Sequence, residues 1–112
     1  MVEKVIVATI DYDGFLTGIG RAPKVAIAKV SNGTIASAEE KEVRWDEAHE
    51  KEQEGLHHSN VAKFFIANKA TDIVAGGAGP DMRRMIERLG IKLHIASGYY
   101  RDAIKAIAEQ MK

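Results

Sequence analysis

The sequence predicts an α/β fold: a three-layer sandwich around a mixed five-stranded sheet, with the order β-β-β-α-β-α-β-α. Two observations carry this prediction. Three runs with strand character open the chain, and helical spacing of apolar residues then alternates with short apolar strands. Because crossover connections are right-handed and join parallel strands, we expect the later strands to run parallel to the first. The second strand should be the antiparallel one.

The first three strands form a predicted meander. Residues 5–10 are apolar on both faces, which is typical of a central strand covered from two sides. Residues 25–30 form the second strand, and the Asn-Gly pair at 32–33 is the signal of a tight hairpin turn. The third strand, at about 34–45, alternates charged with apolar side chains and therefore suits an exposed sheet edge.

A polar loop is predicted over residues 46–56, and the first helix follows it. Ser59 or Asn60 is expected as the N-cap of this helix, because both side chains accept hydrogen bonds from free backbone N–H groups. The helical spacing of its apolar face runs through Val61, Phe64 and Phe65.

Two further helices and two strands complete the prediction. Residues 73–75 form a short buried strand, and Pro80 suits the first position of the next helix. Gly90 ends that helix. Alternating apolar residues at 91–95 predict the last strand, and Asp102 is expected to open the final helix.

Composition limits the function classes. The chain has 112 residues, which predicts one domain over 1–112, with 46% apolar and 29% charged residues. Its formal net charge is zero, so we expect no nucleic-acid partner and no membrane partner. It contains no cysteine, which excludes thiolate ligands and disulfides. No leader pattern precedes the first strand, and Lys and Glu are abundant; we expect a cytoplasmic protein from a thermophile.

The loops that carry candidate ligand-binding residues should meet at one edge of the sheet. In an open α/β sheet, ligands bind beyond the carboxyl ends of the parallel strands. The candidate segments at this edge are Asp11 with Asp13, residues 18–23, His57 with His58, residues 76–79, and residues 97–99.

Asp11-Tyr12-Asp13-Gly14 after the first strand is similar to the first motif of the haloacid-dehalogenase phosphatases. Those enzymes need further motifs on a parallel sheet, whereas a hairpin follows here. A nuclease of the ribonuclease-H type also fits the strand order, but such enzymes use three or four carboxylates around two metals. We interpret Asp11 and Asp13 as turn residues, and an enzyme that uses Asp11 remains the third hypothesis.

The glycine-rich edge carries groups suited to an anion. Gly76, Gly77 and Gly79 allow a strand-to-helix turn, and their N–H groups could also bind an anion at a helix start. Arg21 follows Gly20 and could clamp an anionic ligand, or could be a solvated arginine. His57 and His58 could bind a metal, or could be surface or capping residues. None of these groups is expected in the core.

Three segments of the chain carry a family resemblance: "GRAP" at 20–23, residues 57–94, and "YYRDAIKAI" at 99–107. The most specific part is "DIVAGGAGP" at 72–80, with Gly-Ile-Lys at 90–92 following. Together they resemble the dinitrogenase iron–molybdenum cofactor biosynthesis family, small domains that bind or carry precursors of the nitrogenase cofactor. The resemblance covers nearly the whole chain and implies a ribonuclease-H-like fold.

The resemblance has one departure in a loop and one match before the first helix. Many members carry a histidine two residues before the Gly-Arg-Ala-Pro loop, where this chain has Gly18. Their histidine-bearing stretch before the first helix is kept as His57-His58. Because the family includes stand-alone proteins with no nitrogenase to serve, membership implies a ligand-binding edge more firmly than nitrogen fixation.

The leading hypothesis is therefore a non-catalytic domain that binds or carries an anionic metal cofactor. The resemblance implies an iron–molybdenum cofactor precursor or an iron–sulfur-type cluster as cargo, and cofactor-biosynthesis proteins as partners. The alternative is an interaction or regulatory module that binds no cofactor.

Overall fold

A computed structural model describes residues 4–51 and 54–110, and one five-stranded sheet organises them. The strands run in the order β3-β2-β1-β4-β5. β2 is antiparallel to both of its neighbours, whereas β1, β4 and β5 are mutually parallel. The predicted sheet is thus confirmed, with the ribonuclease-H-like arrangement of one antiparallel strand. The strands are β1 (Lys4–Ile10), β2 (Lys24–Ser31), β3 (Thr34–Glu42), β4 (Asp72–Ala75) and β5 (Lys92–Ile95).

Four helices are present in the described ranges, one more than predicted. The polar loop predicted over 46–56 is wrong where the structure describes it, because a short helix precedes the main one; residues 52–53 lie outside the described residues. The segment is polar but contains four Glu together with one Ala, one Lys and one Gln, all of which are good helix formers. The helices are α1 (Trp45–Lys51), α2 (Glu54–Ala67), α3 (Pro80–Arg88) and α4 (Tyr100–Gln110).

The helices bury both faces of the sheet. Alternate residues of β1 point to opposite sides, so Val7 joins a core under α1, α2 and α3, whereas Ile6 joins a second core under α4. This alternation produces the three layers predicted from the sequence. The largest side chains that anchor the first core are Trp45, Phe65, Ile73 and Ile86, and those of the second are Ile6, Ile10, Tyr100 and Ile104.

β3 ends earlier than the sequence suggested. It stops at Glu42, and Arg44 has a left-handed backbone conformation with φ of 55°. Trp45 is therefore the first residue of α1 rather than part of the edge strand. It is a core anchor as expected, with its ring edge-on to Phe64 and Phe65 at centroid distances of 5.4 and 5.7 Å.

A polar network fastens this edge strand to α4. The Tyr100 hydroxyl donates a hydrogen bond of 2.7 Å to Glu40, whose other carboxylate oxygen lies 2.6 Å from the Lys24 ammonium. The bond from Lys24, followed by the bond from Tyr100, lowers the pKa of Glu40 below its ordinary value. Burial raises the pKa of Tyr100, which therefore remains a hydrogen-bond donor at neutral pH. Glu40 thus connects β2, β3 and α4.

The strands should differ strongly in hydrogen exchange. Eight of the nine side chains of β3 are exposed, whereas all four of β4 and six of the seven of β1 are buried. Edge amides exchange through local opening, whereas central strands open only with larger unfolding events. We expect fast exchange along 34–42 and slow exchange along 5–10 and 73–75, measured by NMR. Equal protection in the three segments would contradict the sheet order.

His94 on β5 is half-buried. Its Nε2 lies 2.9 Å from the carboxylate of buried Asp72, which also accepts a hydrogen bond from Thr71. The pair ties β5 to β4.

The last helix, α4, begins at Tyr100, two residues before the predicted Asp102. None of the helices in the described ranges has the length and apolar character to cross a bilayer.

Candidate functional site

The loop after β1 is built against the end of β4. The Gly76 N–H donates to the Thr17 carbonyl at 2.9 Å, and the Ile19 N–H donates to the Gly77 carbonyl at 3.0 Å. Gly76 and Gly77 therefore use backbone groups to hold the loop that leads to Gly20. A Cβ on Gly76 would lie only 3.0 Å from the Leu16 carbonyl oxygen, which explains the need for glycine there.

The next part of this loop lines a cavity of about 220 Å³ between α2 and the start of α3. The cavity brings together five of the seven residues that the sequence singled out, whereas Gly76 and Gly77 are not part of its lining. A wider groove of about 570 Å³ between α2 and α3 adjoins it and shares His58 and Asp81. The lining residues of the cavity are Ile19, Gly20, Arg21, His57, His58, Gly79, Pro80, Asp81 and Met82.

The two histidines have different environments. They lie in the first half of α2 rather than before it, and His57 is only 2% exposed. The expectation that neither imidazole lies in the core is therefore wrong for His57. The reason is helical spacing, because His57 occupies the same buried stripe as Val61 and Phe65 at intervals of four residues. His58, one position on, is half-buried and reaches both the cavity and the groove.

Arg21 supplies the positive charge at the cavity. Its side chain is exposed, and within the described ranges it forms no ion pair with a carboxylate. The preceding Gly20 has φ of +88°, a conformation that side chains with a Cβ rarely adopt. The backbone conformation of Gly20 thus determines the direction in which the chain enters Arg21.

The start of α3 forms the opposite wall. Gly79 is its N-cap without a side-chain cap, and Pro80 has no N–H, so the first donors without an intrahelical acceptor belong to Asp81 and Met82. These donors favour an anion, but the Asp81 carboxylate opposes one. An ion pair of 2.7 Å with Arg84 partly offsets that negative charge, and both side chains are exposed.

Asp11 and Asp13 do not line this cavity. One carboxylate oxygen of Asp11 accepts hydrogen bonds of 2.9 Å from the N–H groups of Asp13 and Phe15, which is the arrangement of an Asx turn. The residues at 97–99 also serve the loop, since Leu16 N–H donates to the Gly98 carbonyl. Among the described side chains, no group of three or more His, Asp or Glu residues could hold a metal ion.

Three residues of the cavity wall were not predicted to lie at a site: Pro80, Asp81 and Met82. Asp81 and Met82 could have been found, because they follow a proline at the first turn of a helix that begins at the ligand edge. Ile19 belongs to the predicted segment 18–23, and the hydrogen bond from its N–H to the Gly77 carbonyl holds it in the wall.

Solved structures share this fold at low sequence identity. The chain matches the crystal structure of PH0822 with a TM-score of 0.74 and 19% identity, covering 95% of this chain and 89% of that one. It also matches MJ0327 of Methanocaldococcus jannaschii, a provisionally named dinitrogenase. For its crystal structure the TM-score is 0.71 at 14% identity, with 98% and 92% coverage. For its NMR structure the values are 0.70 and 14%, with 99% and 92% coverage.

A comparison with curated protein sequences gives no match. The family assignment comes from a model described as "Dinitrogenase iron-molybdenum cofactor", which matches residues 1–110. This range includes every strand and helix of the domain and all the residues around the cavity. The chain therefore belongs to the dinitrogenase iron–molybdenum cofactor family.

Proposed function

We propose that this domain is a non-catalytic carrier that binds an anionic metal cofactor precursor, of the iron–molybdenum or iron–sulfur type, in the cavity between α2 and α3. One observation supports the proposal most strongly. An exposed guanidinium, an accessible imidazole and a helix start converge on one cavity in a domain of this family. The cofactor precursor is cargo that the carrier binds and releases. The partners of the carrier are proteins that make or receive the cofactor.

The cavity residues offer complementary interactions to such a cargo. A well-placed guanidinium contributes a charge-assisted hydrogen bond of roughly 1.5–3 kcal/mol. The positive end of a helix adds about 0.3–1 kcal/mol for an anion. Arg21 and the N–H groups of α3 can supply these terms, and the ion pair with Arg84 partly neutralises the exposed Asp81 carboxylate that opposes an anion.

The imidazole suits a metal that arrives with most of its ligands already in place. Neutral imidazole is a common ligand for iron and other transition metals. A preassembled cluster keeps its own sulfide or oxygen ligands and needs only one further group from the protein. His58 can provide that group, because its side chain is half-buried and lines both the cavity and the adjoining groove.

The test is an anaerobic titration with a preformed iron–sulfur cluster, followed by visible absorption and co-elution on gel filtration. Arg21→Ala should weaken uptake about tenfold or more, the loss expected for one charge-assisted hydrogen bond. His58→Ala should abolish the absorption bands of the protein-bound cluster.

The expected absence of Mg²⁺-dependent phosphatase activity is a separate prediction, checked with an aryl phosphate.

Arg101→Ala is the charge-matched control. It removes one positive charge from α4, on the other face of the sheet, and should leave uptake unchanged. If wild type takes up no cluster, the carrier function is wrong, and a module that acts through protein contacts alone is the better hypothesis. If Arg21→Ala and His58→Ala bind like wild type, the cargo does not bind in this cavity and the proposed site is wrong.

A further inference from the structure

The buried imidazole of His57 is bonded to the loop that carries Arg21. Its Nε2 lies 2.8 Å from the carbonyl oxygen of Gly20, and the side chain is 2% exposed. A carbonyl oxygen only accepts hydrogen bonds, so Nε2 must carry the proton and donate it. This bond joins two elements that are 37 residues apart in the chain.

Gly20 rests directly against this imidazole. A Cβ built on Gly20 would lie 3.1 Å from Nε2 of His57 and 3.1 Å from Cε of Met82. Gly20 therefore packs between His57 of α2 and Met82 of α3, and His57 also bonds its carbonyl. Because Arg21 is the next residue, these contacts determine where its Cα lies relative to the cavity.

The same bond makes His57 a poor ligand for cargo. Its Nε2 would have to give up both the proton and the Gly20 carbonyl before it could bind a metal. Its other ring nitrogen, Nδ1, is buried away from solvent. His58 differs in exposure, since its side chain is half-buried and lines the cavity as well as the groove outside it.

We propose that the two adjacent histidines divide the work of the site. His57 is a positioning residue, which fixes the Gly20–Arg21 loop through its Nε2–H donor, and His58 alone contacts the metal of the cargo. The division of roles rests on the proposed function, whereas the loop-holding bond of His57 does not. Anion affinity should then depend on the donor at position 57, and metal ligation on the imidazole at position 58.

Two substitutions at His57 separate the donor from the imidazole. In glutamine, the amide nitrogen is separated from Cβ by the same number of bonds as Nε2 in histidine, so His57→Gln keeps an N–H that can reach the Gly20 carbonyl. His57→Leu fills a similar space without any donor and leaves that carbonyl oxygen without its partner. At the neighbouring position, His58→Gln removes the accessible imidazole and serves as the matched variant.

The binding probes are molybdate, a tetrahedral oxyanion, measured by calorimetry, and Co²⁺ with molybdate present, measured by visible absorption. We expect His57→Gln to bind molybdate within about threefold of wild type and His57→Leu to bind about tenfold or more weakly. The Co²⁺ bands that report imidazole ligation should persist in His57→Gln and vanish in His58→Gln. Loss of these bands in His57→Gln alone would overturn the division of roles.

A measurement without any ligand tests the positioning bond by itself. Long-range ¹H–¹⁵N correlation spectra of the wild-type protein distinguish the two neutral tautomers, and His57 should carry its proton on Nε2. The amide resonances of Gly20 and Arg21 should shift in His57→Leu and return towards wild type in His57→Gln. The opposite tautomer overturns the proposal, even if His57→Leu fails to fold. If the tautomer is as expected but neither probe binds wild type, the positioning bond is supported and both the carrier function and the proposed roles in binding fail.

Discussion

Replacing Phe65 with alanine is expected to lower the free energy of unfolding by about 3–5 kcal/mol, the largest effect of any substitution considered. Phe65 is fully buried in the core between the sheet and the first three helices, with its ring edge-on to Trp45 at 5.7 Å. Truncation would remove this ring and leave a cavity that the surrounding strands can fill only in part. It would also loosen α2, which carries both histidines.

The matched control is the next residue in the same helix. Ile66 is 59% exposed, so Ile66→Ala should change the free energy of unfolding by no more than about 0.5 kcal/mol. Urea denaturation, followed by circular dichroism, gives both values, and an unchanged slope would show that the unfolded states are comparable. Similar losses in the two variants would contradict the assignment of the buried face of α2.

The buried face of α2 also explains what the sequence could and could not predict. Strong signals were local: the Asn-Gly turn, the proline at the start of α3 and the glycine at its end each lie where expected. The polar segment before α2 was misread, because charged side chains suit both a loop and an exposed helix. Because the predicted helix began after His57, the sequence did not reveal that His57 belongs to the buried stripe of Val61 and Phe65.

The candidate site was predictable at the level of loops but not of contacts. Strand order alone brings Arg21, His57 and Gly79 to the same edge of the sheet, and the structure gathers them around one cavity. The bond between His57 and Gly20 could not be foreseen, since it depends on how α2 docks against a loop far away in sequence. Likewise, only the packed structure reveals that Gly76 and Gly77 support the loop rather than line the cavity.

Gly76→Ala is expected to destabilise the fold by about 1–3 kcal/mol, because the new methyl group overpacks a contact between two backbone segments. Its Cβ would lie 3.0 Å from the Leu16 carbonyl oxygen and 3.1 Å from the Cα of Thr17. Neither atom can rotate away as a side chain would. The loop must therefore move from the end of β4, which strains the 2.9 Å bond between Gly76 N–H and the Thr17 carbonyl.

The neighbouring glycine provides the control. A Cβ on Gly77 meets no atom within 4 Å, so Gly77→Ala should change stability by no more than about 0.5 kcal/mol. Thermal and urea unfolding of the two variants measure the difference. Because the displaced loop continues to Gly20 and Arg21, Gly76→Ala should also weaken molybdate binding at a temperature where it is still folded, whereas Gly77→Ala should not. If Gly77→Ala proves as harmful as Gly76→Ala, close backbone packing is not the reason for glycine at position 76.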